Sequence, residues 1–187
     1  MIIPRIIAAF ALLILLAGPS TARAADIGGP FDLVDHDGNN VSQDSYPGKY
    51  QLIFFGYTYC PDVCPTELLV LGQTLDLLGP DAARVQALFM TVDPARDTVD
   101  VLAEYIPNFH PDLIGLTGTP EQVAKAAKAF RVFYRIFPKA TEGEEYLVDH
   151  TSLIYLMEPA GEFASHFVYG QGAEVMARTI AKILAAN

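Results

Sequence analysis

The sequence predicts an α/β domain: a mixed central sheet flanked by helices, with a β-hairpin at its N-terminal end. Three observations predict it. Two runs, Gln51 to Tyr57 and Val85 to Val92, are almost continuously apolar, as strands buried on both faces are. Each is followed by a stretch with helix-start signals. Further on, Ser152 to Met157 and Phe163 to Val168 are joined by Glu158-Pro159-Ala160-Gly161, a hairpin turn that adds antiparallel strands.

The elements follow in order. Phe31-Asp32-Leu33-Val34 alternates apolar and polar residues, and Asp37-Gly38 turns the chain before Val41, so residues 31–42 read as a hairpin. Asp35, Asp37 and Asn39 imitate the start of a calcium loop. The Gly and Glu such a loop needs are replaced by Asn40 and Tyr46, which excludes that reading. The strand at 51–57 runs into a cysteine loop, and Pro65-Thr66-Glu67 opens a helix to about Leu78, Pro65 sitting where a missing N–H costs little. After the strand at 85–92, residues 98–109 read as a helix with Thr98 as N-cap. A short strand at 113–116 precedes Thr119-Pro120-Glu121, a helix start, and that helix runs to about Phe130. Residues 131–137 alternate like an exposed strand, 138–145 form a polar loop, and 174–186 form a terminal amphipathic helix. Alternating strands and helices indicate a parallel sheet covered on both faces, made mixed by its antiparallel end. That order is the thioredoxin plan with an N-terminal hairpin and one inserted strand–helix unit.

The length of 187 residues suits one domain plus a targeting segment. Arg5 begins a positively charged region, Ile6 to Ala17 form an apolar run, and Ala22-Arg23-Ala24 offers a cleavage site, so residues 1–24 read as a signal peptide and 25–187 as the domain. The apolar run is shorter than the roughly 20 residues a spanning helix needs. The alternative is an uncleaved anchor lengthened by Ile2 and Ile3 across Pro4. Either way the expected location is periplasmic, at the inner membrane if the segment stays. Cleavage would take Arg5 and Arg23 from 12 basic residues and none of the 22 acidic ones, leaving a net charge of about −12. Such a surface repels phosphate backbones and excludes nucleic acid as a partner. A monomer is expected.

Hydrophobic residues make up 51% of the chain, enough to build a core without disulfide staples. Yet two cysteines sit four apart, in Cys60-Pro61-Asp62-Val63-Cys64. A disulfide closing so short a loop constrains the unfolded chain little, so chemistry explains the pair better than stability does. They lie where a central strand ends and a helix begins, a position that favours thiolate over thiol. Four-residue spacing turns both sulfurs to one side, where they can chelate one soft ion or close into a disulfide. Thiolates select copper(I) or zinc, and imidazole also suits copper(II).

A third ligand has to come from elsewhere, and four histidines are available. His150, in Val148-Asp149-His150-Thr151-Ser152, leads into the strand at 152–157, whose leading loop faces the cysteine loop in a sheet of this plan. His36 belongs to a hairpin turn and reads as solvated, His110 as a cap after a helix, and His166 as a surface residue on an edge strand. Two thiolates and one imidazole leave a coordination position open, unlike a closed structural zinc site. Asp93 and Arg96, at the end of the strand at 85–92, reach the same edge of the sheet. There Asp93 either tunes the site or contacts a partner, or simply orders the turn by pairing with Arg96. Tyr57 and Tyr59 read as packing residues.

These residues match a family. Phe55-Gly56-Tyr57-Thr58-Tyr59-Cys60-Pro61-Asp62-Val63-Cys64-Pro65 resembles the copper-site loop of the Sco/SenC family of cytochrome oxidase assembly proteins. Thr91-Val92-Asp93-Pro94-Ala95-Arg96-Asp97-Thr98 resembles its second signature, and Val148-Asp149-His150-Thr151 the segment bearing its histidine ligand. The resemblance covers roughly residues 28–186. It implies a thioredoxin-like fold and copper held by Cys60, Cys64 and His150. It also implies delivery to, or preparation of the thiols of, the dinuclear copper site of cytochrome c oxidase, with that subunit and other copper or thiol-redox proteins as partners. Most members are tethered by an N-terminal helix, a feature that the short, A-x-A-terminated segment here departs from.

Two rival readings use the same cysteines. In a thiol–disulfide oxidoreductase Cys60 attacks and Cys64 resolves, through a mixed disulfide. The CxxxC spacing departs from the CxxC of thioredoxins, and plain exchange does not require His150. A peroxide-reducing enzyme would need an activating arginine beside the loop, and none is evident in the sequence. The chain is expected to be a metallochaperone rather than an enzyme.

Overall fold

A computed structural model describes residues 27–137 and 146–186. The segment read as a signal peptide and the polar loop at 138–145 lie outside the described residues. Strands β1 (Asp32–Asp35) and β2 (Asn40–Ser42) form the expected hairpin. β3 (Tyr50–Gly56) leads to helix α1 (Val63–Leu78), and a 3-10 turn, Gly79–Arg84, returns the chain to β4 (Val85–Thr91). α2 (Val99–Tyr105), β5 (Leu113–Thr117) and α3 (Pro120–Ala129) follow. Then come β6 (Tyr134–Phe137), β7 (Leu147–His150), β8 (Leu153–Met157), β9 (Phe163–Val168) and α4 (Ala173–Ala186).

Seven strands form one mixed sheet in the order β2-β1-β5-β4-β3-β8-β9. β3, β4 and β5 are parallel, and both flanks are antiparallel. Every residue of β3 and of β4 is buried, which is why both read as unbroken apolar runs. Phe54, Phe55 and Phe89 are wholly enclosed, and burying a side chain of that size stabilises the fold by about 1.5–3 kcal/mol. On α1, Cys64, Leu68, Leu71, Leu75 and Leu78 recur every three or four residues and form its buried face. α4 buries Met176, Ala177, Ile180 and Leu184 on the same principle.

Local chemistry sets the helix ends. The Thr98 hydroxyl accepts from the Val101 N–H, as an N-cap should. Thr119 forms a reciprocal capping box with Gln122, and Pro120 occupies the first turn. The helix expected over 98–109 ends at Tyr105 and tightens into a 3-10 turn over Ile106–Asn108, because Pro107 has no N–H to give to the α-helical ladder.

One expectation needs a larger correction. Residues 131–137 form a strand only from Tyr134. The C-terminal end of α3 uses up the preceding residues: Arg131 takes a left-handed φ of 56°, and the Val132 N–H donates to Ala127 O at 2.8 Å. β6 then pairs with β7 in a separate two-stranded sheet, with Tyr134 opposite His150. His150 therefore ends a strand of this ribbon rather than lying in a loop.

Register decides where that ribbon delivers the chain. β8 runs antiparallel to β3, with Ile154 opposite Phe54 and Met157 opposite Gln51. The start of β8 thus lies at the C-terminal end of β3, where the cysteine loop begins.

Candidate metal centre

Beyond Gly56 the chain turns through Tyr57 to Tyr59, and the Cys60 N–H donates to Tyr57 O at 3.3 Å. Asp62 occupies the N-cap of α1, but its side chain makes no capping bond. One of the orphan amides of the first turn goes to sulfur instead: the Cys64 N–H donates to Cys60 Sγ at 3.4 Å. The helix start is thus also the thiolate's hydrogen-bond donor. Cys60 is half-buried, Cys64 is buried, and neither is in a disulfide.

His150 meets them from the ribbon. Its Nε2 lies 3.3 Å from Cys64 Sγ, and its Nδ1 lies 3.1 Å from Thr151 O. A carbonyl oxygen only accepts, so Nδ1 carries the proton and the Nε2 lone pair faces the sulfurs, the arrangement expected of a metal-ligating imidazole. The rings of Tyr57 and Phe54 hold the imidazole edge-on at 5.9 and 6.1 Å. The ligand atoms of Cys60, Cys64 and His150 all lie within 4.8 Å of one another, so a single soft ion could bridge all three.

The thiols share one proton unequally. A hydrogen bond from the Cys64 thiol holds Cys60 far below the usual cysteine range, at about 3, helped by the backbone at Asp62 and Cys64. Cys64 is pushed up by that same sharing and by burial. Cys60 is thus the half-buried thiolate and Cys64 the enclosed thiol.

Surrounding groups fix this geometry. A Cβ on Gly56 would stand 2.8 Å from Phe89 Cε2 and 2.9 Å from Cys64 Sγ, so only glycine leaves room for the second sulfur. Asp97, fully buried, accepts from Thr58 N at 3.0 Å, from Thr58 Oγ1 at 2.6 Å and from Thr91 Oγ1 at 2.6 Å. It ties the cysteine loop to the end of β4. Burial raises its pKa, against the pull of these donors.

Asp93 stands apart from the ligand cluster. It is 1% exposed, pairs with Arg96 Nε through one oxygen and accepts from Tyr146 Oη through the other at 2.6 Å. Through that pairing with Arg96 it orders its turn. Tyr57 packs as expected. Tyr59 does not: it is 46% exposed and lies under the Arg96 guanidinium, 4.6 Å from its ring centre. His36 is half-buried, and its Nδ1 accepts from Gly115 N at 3.0 Å. His110 accepts from Asp112 N in its turn, and His166 is exposed. Sequence reasoning missed Asp97 and Tyr146. Asp97 stands within the run from Thr91 to Thr98, and only the fold shows what it holds. Tyr146 carries no local signal.

Comparison with known proteins adds a separate line of evidence. A family described as SCO1/SenC matches residues 19–185. The mitochondrial SCO1 homolog 1 of Arabidopsis thaliana is 43% identical over 159 residues, which cover 84% of this chain and 46% of that protein. The chain thus spans about half of that relative's length. The copper-bound structure of Arabidopsis ScoI superposes with a TM-score of 0.81 at 38% identity, covering 86% of this chain and 99% of that one. Copper-bound ScoI of Bradyrhizobium japonicum gives 0.77 at 44% identity, covering 83% and 98%.

Proposed function

Because this chain belongs to the SCO1/SenC family, we propose that it is a copper metallochaperone that holds the ion through Cys60, Cys64 and His150. The observation that carries this reading is the convergence of three soft ligand atoms within 4.8 Å from two segments far apart in sequence. Two thiolates satisfy copper(I), and the imidazole extends the set to copper(II). Cys60 and His150 are only partly buried. The site therefore has an open side for an incoming ligand, as a site that passes its ion on requires.

The recipient proposed is the dinuclear copper site of cytochrome c oxidase, in keeping with the copper-bound Sco relatives. The proposed location is the periplasm, with the N-terminal segment as an export signal or anchor, and the proposed state is a monomer. Among the described residues no helix is long and apolar enough to cross a membrane.

Titrating the reduced protein with copper tests this. One copper per chain is expected, with copper–thiolate absorption bands that His150→Ala weakens and shifts. Equal affinity and equal spectra in wild type and variant would remove His150 from the ligand set.

A second reading has its own observation: a half-exposed thiolate at Cys60 with a protonated thiol at Cys64 behind it. In that reading Cys60 attacks a partner disulfide, forming a mixed disulfide and releasing one partner thiolate. Cys64, losing its proton, then attacks Cys60 Sγ, leaving an intramolecular disulfide and a second partner thiol. Turnover on disulfide substrates that ignores copper would favour it.

A further inference from the structure

We propose that Tyr146 is a positioning residue for the His150 imidazole, latching the histidine-bearing strand to the loop after β4 through Asp93 and Arg96. The inference rests on His150 being a ligand, as proposed above. It starts from a weakness in the fold. β7 belongs to a two-stranded sheet outside the main one, and an isolated pair of strands is marginal in water. Ile136, Phe137 and Leu147 are exposed, so of the ribbon's apolar residues only Tyr134 and Val148 pack against the core. Something outside the ribbon has to hold His150 against the cysteines.

Two ties do so. Val148 is buried, and its N–H donates to Tyr57 Oη at 3.3 Å. At the start of β7, Tyr146 is held at three points. Its hydroxyl donates to Asp93 Oδ1 at 2.6 Å, its carbonyl accepts from Arg96 Nη1 at 3.0 Å, and its ring lies 3.6 Å beneath the Arg96 guanidinium carbon. Asp93 and Arg96 are themselves paired and almost enclosed. Removing the Tyr146 hydroxyl would leave a buried carboxylate oxygen without its donor.

The latch reaches both halves of the site. The same guanidinium stacks on Tyr59, next to Cys60, at 4.6 Å, and lies 5.7 Å from the Tyr57 ring. Arg96 Nη2 is buried with no oxygen or nitrogen acceptor, and these aromatic faces account for it, since ring quadrupoles attract a guanidinium. From Tyr146 the extended strand carries the chain four residues, about 13 Å, to His150. A slip at one end therefore moves the imidazole at the other, while the cysteines, Cys60 in the loop after β3 and Cys64 on α1, stay in place.

The test compares reduced wild type, Tyr146→Phe and His150→Ala, each loaded with one equivalent of copper(II) and followed by electron paramagnetic resonance and competition titration. Tyr146→Phe keeps the stacked ring and loses only the hydroxyl. It is expected to weaken copper(II) binding about tenfold, the order of one hydrogen bond to a charged group. It should also reduce the nitrogen coupling toward the His150→Ala spectrum. In the metal-free protein the Val148 amide should exchange faster, while the Cys60 alkylation rate stays near wild type. Arg96→Lys, which loses the planar fork and the stacking, should act in the same direction. A Tyr146→Phe spectrum and affinity equal to wild type would overturn the latch. So would an affinity loss accompanied by altered Cys60 reactivity, which would make Tyr146 a packing residue. Identical spectra for wild type and His150→Ala would overturn the ligand reading itself, and the latch with it.

Discussion

His150 Nε2 lies 3.3 Å from Cys64 Sγ, across 86 positions of sequence. The contact joins a ribbon end to a helix start, so the two halves of the site can be perturbed separately. His150→Ala is expected to cost copper(II) affinity at least about tenfold and copper(I) affinity much less, because paired thiolates suffice for the softer ion. Competition titrations in both oxidation states check this. A variant that loses both equally would show that the imidazole does more than complete the copper(II) set.

Cys60 should behave as a thiolate far below neutrality. Its pKa is lowered to about 3, so the nucleophile is present above that value and lost only as the pH falls through it. Alkylation of the metal-free, reduced protein should therefore stay nearly constant from pH 7 to about pH 5, whereas an ordinary thiol slows about tenfold per pH unit over that range. Mass mapping should place the label on Cys60, with Cys64 protected by burial and its retained proton. Alkylation that falls steadily below pH 8 would contradict the proton sharing described.

Gly56→Ala should damage the site through packing. The added methyl meets Phe89 and Cys64 Sγ, both in the core, and overpacking of this kind costs about 1–3 kcal/mol. Denaturant unfolding should show that loss, and copper affinity should fall with it because Cys64 must move. Unchanged affinity would mean that the sulfur relaxes without leaving its place.

Asp97 links stability to pH. Its carboxyl pKa is raised by burial, so the folded state holds the proton more tightly than the unfolded chain does. As pH rises through the ordinary value of 3.8 the unfolded chain ionises first, and stability falls until the folded carboxyl ionises too; above that the penalty is constant. Asp97→Ala should remove this dependence and cost about 1–3 kcal/mol at low pH, since the Thr58 and Thr91 donors lose their shared acceptor, and less at higher pH, where the wild type carries the penalty of its buried charge. Unfolding curves between pH 3 and 7 for both proteins measure it.

The sequence by itself determined what short-range chemistry decides. Buried strands had to be continuous apolar runs, so Gln51 to Tyr57 and Val85 to Val92 were legible. Thr98 and Thr119 marked helix starts because a cap and its acceptors lie within one turn. Cys60 and Cys64 were legible as a reactive pair because four-residue spacing at a helix start puts their sulfurs on one side. His150 was legible as a candidate only through the order of elements and the resemblance to a family. Its seat on a separate ribbon was not, because β6 reads as one more exposed strand until its partner is known. The roles of Asp97 and Tyr146 were hidden for the same reason. Each acts through hydrogen bonds to residues 39 and 53 positions away, and no local period or cap records such pairings. Tertiary structure alone decided how closely Cys60, Cys64 and His150 are held together, because strand register and buried polar contacts, not residue type, set the distance between a ribbon end and a helix start.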